Sequence, residues 1–199
     1  MRSTQLKELL LQALEHERGG VLVYQTALEC ALNRDLHEEW KEYLQQTTRH
    51  VEILTELCTA LELDPREMTP GCKIVRQLAK ALVGAMKSAL AESDAAAAEL
   101  VACDCVVLAE TRDHANWQLI GECAKASGKD ATSLLWSAYE SIEDEEDEHL
   151  YHSQGWAREL WLKSLGLPAR LPPPEEKAEV TSATAAARPL EESLADRKH

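Results

Sequence analysis

Glu17, His50, Glu110, His114, Glu146 and His149 stand at positions that a helical bundle normally fills with leucine. A charged or ionisable side chain on an apolar seam costs several kcal/mol unless something pairs with it. One seam histidine alone is usually a neutral ring with its hydrogen bonds satisfied. Six such groups at matching depth on several helices point instead to a shared partner. Carboxylate oxygen and imidazole nitrogen are the donors that hold iron, manganese or zinc. Glu146 and His149 form E-x-x-H, which places both side chains on one helix face. Glu145 and His149 are four apart and offer the alternative pairing. Glu110 and His114 are also four apart, and Asp113 on their flank can hold the imidazole of a ligand histidine. His152 is either a further ligand or a group that orients one, and Tyr24 is either a core tyrosine or a neighbour of the site.

The elements that must position these residues are helices. Helix formers dominate, and Pro, Gly and short polar runs divide the pattern into helices over about 4–30, 36–62, 71–91, 95–127 and 130–165. Asp35 and the Ser93–Asp94 pair are placed to cap the helices that follow them. Steps of four and three trace the inward stripes. The second helix reads Leu36, Trp40, Tyr43, Thr47, His50, Leu54, Leu57, Leu61. The last reads Leu135, Tyr139, Ile142, Glu146, His149, Ser153, Trp156, Leu160. In each, the polar insertions fall within about a turn of the midpoint. The first two long helices are joined by a few residues, as are the last two, so each pair is expected to be an antiparallel hairpin. The long connection between the hairpins contains an extra short helix. Two hairpins with one crossover are the expectation, and a plain up-down bundle is the alternative.

The expected fold class is therefore all-α, with residues 1–167 forming one bundle domain. Residues 168–199 form a Pro-, Ala- and Glu-rich tail expected to be mostly extended or disordered. Acids outnumber bases by 35 to 21, a net charge of -14 that argues against nucleic acid and anionic membranes as partners. No apolar run is long enough to span a membrane. The six cysteines contain no C-x-x-C pair, which removes the usual thiolate zinc and iron–sulfur signatures. The opening MRSTQLKELL lacks the apolar stretch of a secretory signal, so a cytoplasmic protein with reduced thiols is expected.

The stretches HERGGVLVYQTAL, EYLQQTTRHVEIL, VLAETRDHANW and DEEDEHLYH resemble those of the ferritin-like superfamily, which includes ferritins, bacterioferritins and rubrerythrins. The resemblance implies a ferritin-like four-helix bundle with a carboxylate-bridged dimetal site. It also implies roles for particular residues. Glu17 is similar to the lone glutamate of the first helix, with Tyr24 seven residues on. Glu110 is similar to the lone glutamate of the third long helix, and Glu146 with His149 to the final E-x-x-H. His50 is similar to the histidine of the second-helix motif, but Thr47 stands where that motif has a bridging glutamate. His114 is an additional imidazole that can compensate.

The implied cofactor is iron, as one or two ions, with manganese or zinc as alternatives. The implied chemistry is that of an iron-dependent oxidase or peroxidase acting on Fe(II), O2 or peroxide, although the missing glutamate weakens that implication. A homo-oligomer, foremost a dimer, is the expected assembly. The competing reading is a non-catalytic structural or interaction protein, with a stabilising metal or a buried polar network in the bundle. Trp161, off the apolar stripe in WARELWLKSLGLP, fits an interface role in that reading.

Overall fold

Helices account for nearly all the regular structure in a computed structural model of the chain, which describes residues 3–126 and 129–174. They are α1 (Ser3–Cys30), α2 (Arg34–Ala60), α3 (Pro70–Glu92), α4 (Ala95–Ala126), α5 (Lys129–Glu140) and α6 (Glu143–Ser164). Local chemistry sets several of the ends. Asn33 caps α2, its side chain accepting from the Asp35 and Leu36 N–H groups, so Asp35 lies inside the first turn rather than at the cap expected from the sequence. Thr69 caps α3 by accepting from Cys72 N–H, with Pro70 at the first helical position, where its missing N–H costs nothing. Asp94 accepts from Ala97 N–H at the start of α4.

The last long helix expected over 130–165 is broken between Glu140 and Glu143, so α5 and α6 together form one column of the bundle. Four acids, Glu143 to Glu146, fall in the first turn of α6. There their negative charges lie at the positive end of the helix dipole instead of crowding a helix interior. The column stays in register, because Leu135 and Tyr139 before the break and Glu146 and His149 after it are all buried.

Side-chain contacts fix the topology as an all-α, ferritin-like four-helix bundle of α1, α2, α4 and the α5–α6 column. The α1–α2 loop is held by Glu99 at the start of α4, whose Oε1 accepts from Leu32 and Asn33 N–H. Further along, His16 bonds the Ala109 carbonyl and Trp117 bonds Glu17, so α1 and α4 run antiparallel. Trp161 reaches Asp104 while His114 meets Asp147, so α4 and α6 are antiparallel as well. Pairs from Glu39–Trp156 to Arg49–Glu145 set α2 antiparallel to α6. Helices α2 and α4 therefore run in the same direction, which requires a long crossover and rules out the plain up-down alternative.

That crossover is α3, which packs along α1 and α4. Thr69 bonds Glu8 and Arg76 pairs with Glu15, so α3 runs parallel to α1. Two adjacent glycines admit α1's neighbours at this level. A Cβ on Gly19 would lie 2.6 Å from Ala79 of α3, and one on Gly20 would lie 3.2 Å from Thr47 Cγ2 of α2.

Two apolar layers fill the ends of the bundle. One contains Val23, Leu36, Trp40, Met86, Val106 and Trp156. The other contains Leu10, Leu14, Leu54, Trp117, Ile120 and Leu135. Complete burial of each such aliphatic side chain stabilises the fold by roughly 1.5–3 kcal/mol. Beyond α6, Arg170 N–H bonds Glu159 and Leu171 packs against the first layer. The rest of the expected tail, from residue 175, lies outside the described residues. No helix among the described residues is long and apolar enough to cross a membrane.

Candidate metal centre

Between the two apolar layers lies a polar one. Glu17 from α1, His50 from α2, Glu110 from α4, and Glu146 and His149 from α6 are all buried there. They form two groups of three, Glu17–His50–Glu146 and Glu110–Glu146–His149, in each of which one donor atom per residue lies within 4.8 Å of the others. Glu146 belongs to both. His50 Nδ1 is 3.1 Å from Glu146 Oε1 and 3.4 Å from Glu17 Oε1. His149 Nδ1 is 3.6 Å from Glu110 Oε2 and 3.7 Å from Glu146 Oε1. Donors held about 2 Å from one ion must lie within about 4 Å of each other, so these separations suit a first-row cation.

The imidazoles are aimed from behind. His50 Nε2 meets Glu145 Oε2 at 2.8 Å, and His149 Nε2 meets Gln46 Oε1 at 2.7 Å. Both partners are acceptors, so each ring donates through Nε2 and turns the Nδ1 lone pair inward, the tautomer a cation requires. Apart from Glu17 Oε1, which accepts from Trp117 Nε1–H, the inward atoms are without hydrogen bonds. His50 Nδ1, His149 Nδ1, Glu17 Oε2, Glu110 Oε2 and both oxygens of Glu146 are buried and unpartnered. Buried polar atoms are otherwise almost always paired. A set of orphaned donors converging from four columns fits a cation, and their O/N composition fits iron, manganese or zinc better than a soft metal.

Without a cation, protons take over part of its role. Burial lowers the affinity of His50 for a proton, but the carboxylates of Glu17 and Glu146 outweigh it and carry its pKa up to about 11. His149 is raised too, its contact with Glu110 overcoming burial. Burial, with the negative charges of Glu17 and Glu110, pushes Glu146 up to about 7 against the opposing pull of His50.

His114 lies outside both groups. Its Nε2 meets Asp147 Oδ1 at 2.8 Å, and its ring packs edge-on against Tyr151. The reason is angular. Packed against α1, α3, α5 and α6, α4 buries a broad arc that includes Ala109, Asp113, Asn116 and Ile120. From Glu110, a step of four leads to the α6 side and a step of three leads to Asp113, on the α1 side. Asp113 is 4% exposed, and its carboxyl sits against that of Glu17 rather than against an imidazole. Burial and the charges of Glu17, Glu146 and Glu110 hold its pKa well above the usual carboxylate range. Its spacing from Glu110 equals that of His149 from Glu146, and this is the sequence signal that marks it.

Of the two glutamates that can pair with His149 by spacing, Glu146 faces the centre, while Glu145 turns outward to His50 Nε2 and Arg49. His152 is outside both groups and meets the Tyr43 hydroxyl at 3.0 Å. It lines an open groove of about 630 Å³ together with Glu38, Glu39, Glu42, Tyr43 and Glu148. Tyr43 lies between that groove and the centre, its ring centroid 4.3 Å from that of His149. Tyr24 is fully buried, and its ring meets Tyr43 and His149 edge-on. Thr47 is buried on the α2 stripe, with its methyl group turned toward the backbone of Gly20.

A helical bundle with two Glu/His/Glu clusters sharing one glutamate resembles a carboxylate-bridged dimetal site and is consistent with the ferritin-like superfamily in general. No protein-family model, curated protein or solved structure matches the chain. The class therefore rests on the fold and the site alone.

Proposed function

We propose that this chain is a ferritin-like non-haem metalloprotein that binds one or two first-row cations, iron foremost, in the layer between its apolar ends. The observation that carries this reading is the pair of Glu/His/Glu groups joined at Glu146, with their inward atoms buried and unpartnered. Two groups with one common carboxylate would hold one or two ions. Iron bound there would supply one-electron chemistry toward O2 or peroxide, or the site would oxidise Fe(II) arriving as substrate.

The chain's own residues have definable parts in this proposal. Glu17, His50, Glu110, Glu146 and His149 would hold the cations. Glu145 and Gln46 orient the imidazoles, and Trp117 N–H, bonded to Glu17 Oε1 at 2.7 Å, fixes that carboxylate. The apolar layers exclude bulk water. His114 is given no ligand role, since its Nε2 is engaged by Asp147.

Metal analysis of protein produced in iron-, manganese- and zinc-supplemented medium tests the binding. One to two equivalents per chain, lost in Glu146→Gln, is the expected result. Absence of metal from every preparation, with no change in melting on metal addition, overturns it. A structural metal is the second reading, favoured by the near-complete burial of His50, His149 and Glu17. Rapid Fe(II) oxidation or peroxide turnover by the loaded protein supports the catalytic reading. Bound metal that neither turns over nor exchanges supports the structural one.

A further inference from the structure

We propose that Tyr43 is the gate of this centre: cations enter from the groove between α2 and α6, past the Tyr43 ring, to the Glu110–Glu146–His149 group. This rests on the metal-site reading above and adds to it the route by which the site is filled.

Tyr43 belongs to both places. It lines the groove, and its ring centroid lies 4.3 Å from that of His149, with the two planes tilted by 44°. The residue is only 3% exposed, so its ring is the wall between the groove and the imidazole. A latch holds that wall at its outer end. The Tyr43 hydroxyl donates to Glu39 Oε1 at 3.0 Å and meets His152 Nδ1 at 3.0 Å. Glu39 is itself fixed, because Trp156 Nε1–H donates to its Oε2 at 2.9 Å. On the inner side the fully buried Tyr24 meets the ring edge-on, with centroids 6.0 Å apart. A close-packed interior leaves no room for the ring to swing inward. It opens toward the groove, and the bonds it must break to do so are those to Glu39 and His152, which line the groove.

The charges on the two sides of the polar layer differ in the same sense. Behind His149, the groove sets Glu38, Glu39, Glu42 and Glu148 against Lys41. Behind His50, Glu145 is paired with Arg49, whose guanidinium repels an approaching cation. A cleft lined by one sign of charge concentrates the opposite ion, so the field favours entry on the His149 side, where Tyr43 stands.

The test is stopped-flow Co(II) uptake by full-length metal-free protein, with Co(II) release into excess EDTA and affinity from calorimetry. Wild type is compared with Tyr43→Phe and His152→Ala. Phe keeps the ring and removes the latch, while H152A leaves the ring and all four groove carboxylates in place. A gate sets the height of a barrier crossed in both directions. Uptake and release in Y43F should therefore both quicken by about 10-fold, the factor that one hydrogen bond to a carboxylate is worth, with the affinity unchanged. H152A should shift both rates the same way by a smaller factor. A Tyr43 that only supports His149 would weaken the affinity and leave uptake as fast as in the wild type. That outcome, or wild-type rates in both variants, overturns the gate. If Y43F does not fold, H152A decides by the same criterion. Wild type that takes up no Co(II) overturns the metal-site reading itself, and with it this extension.

Discussion

The polar middle of the bundle and its two apolar ends are built from the same helices on opposite principles. At the ends, Leu14, Leu54, Trp40, Trp156 and their neighbours gain from leaving water, with little need for directional bonds. In the middle, Glu17, His50, Glu110, Asp113, Glu146 and His149 lose their hydration and leave inward atoms unpaired. The ends hold the fold. The middle holds together only with protons or a cation between its carboxylates and imidazoles. A layer whose lost hydration must be offset in this way makes sense as a binding site.

This contrast gives mutations of opposite sign, and the largest difference is expected at Glu146. Glu146→Gln should reduce metal to well below one equivalent per chain, as measured by elemental analysis, while the metal-free protein melts at or above the wild type. Leu54→Ala in an apolar layer should do the reverse. It should cost about 2–5 kcal/mol in denaturant unfolding and leave the metal stoichiometry of the folded fraction unchanged. If both variants shift stability in the same direction and both keep their metal, the contrast between layers is wrong.

An intermediate effect is expected from Thr47→Glu. Thr47 is buried, so the longer side chain should overpack the α2 stripe at a cost of about 1–3 kcal/mol. A gain of one equivalent in T47E would show that α2 can still provide the bridging carboxylate.

Proton uptake sharpens the comparison further. The pKa of His50 is raised on folding from 6.5 to about 11, and that of His149 is raised as well. A raised folded-state pKa gives stability that is complete below the unfolded value and is lost as pH climbs through the folded one. Glu146, raised from 4.5 to about 7, has the same sign. Metal-free protein should therefore lose stability as pH rises from 6.5 toward 11, and bound metal should flatten that slope by replacing the protons. Melting curves of both forms across this range test it. The smallest effect is expected at His114, where His114→Gln should leave metal affinity close to that of the wild type, since the ring belongs to neither donor group.

The inward stripes of α2 and of the α5–α6 column were legible in the sequence, because each is a narrow strip of regular four-and-three steps. Every α2 seam residue from Leu36 to Leu57 is buried, and so is every column residue from Leu135 to Leu160. On α4 the same stepping was less informative. That helix touches α1, α3, α5 and α6, so its buried face is wider than one stripe, and His114 and Asp113 both satisfy a helical spacing from Glu110. Only the position of α1 decides between them. The break at Ser141–Ile142 was hidden because apolar residues continue in phase across it. Glu145 and Gln46 behind the imidazoles depend on the docking of α2 against α6, which neither helix encodes alone.

The central claim, that the middle layer binds metal at its two joined groups, is tested most directly by anomalous diffraction from crystals grown with Mn(II) or Fe(II). The expected result is density beside Glu146, in the Glu17–His50 half, the Glu110–His149 half or both. A midplane without anomalous density in metal-soaked crystals, or a peak confined to the groove of Glu38, Glu39 and Glu42, would contradict it.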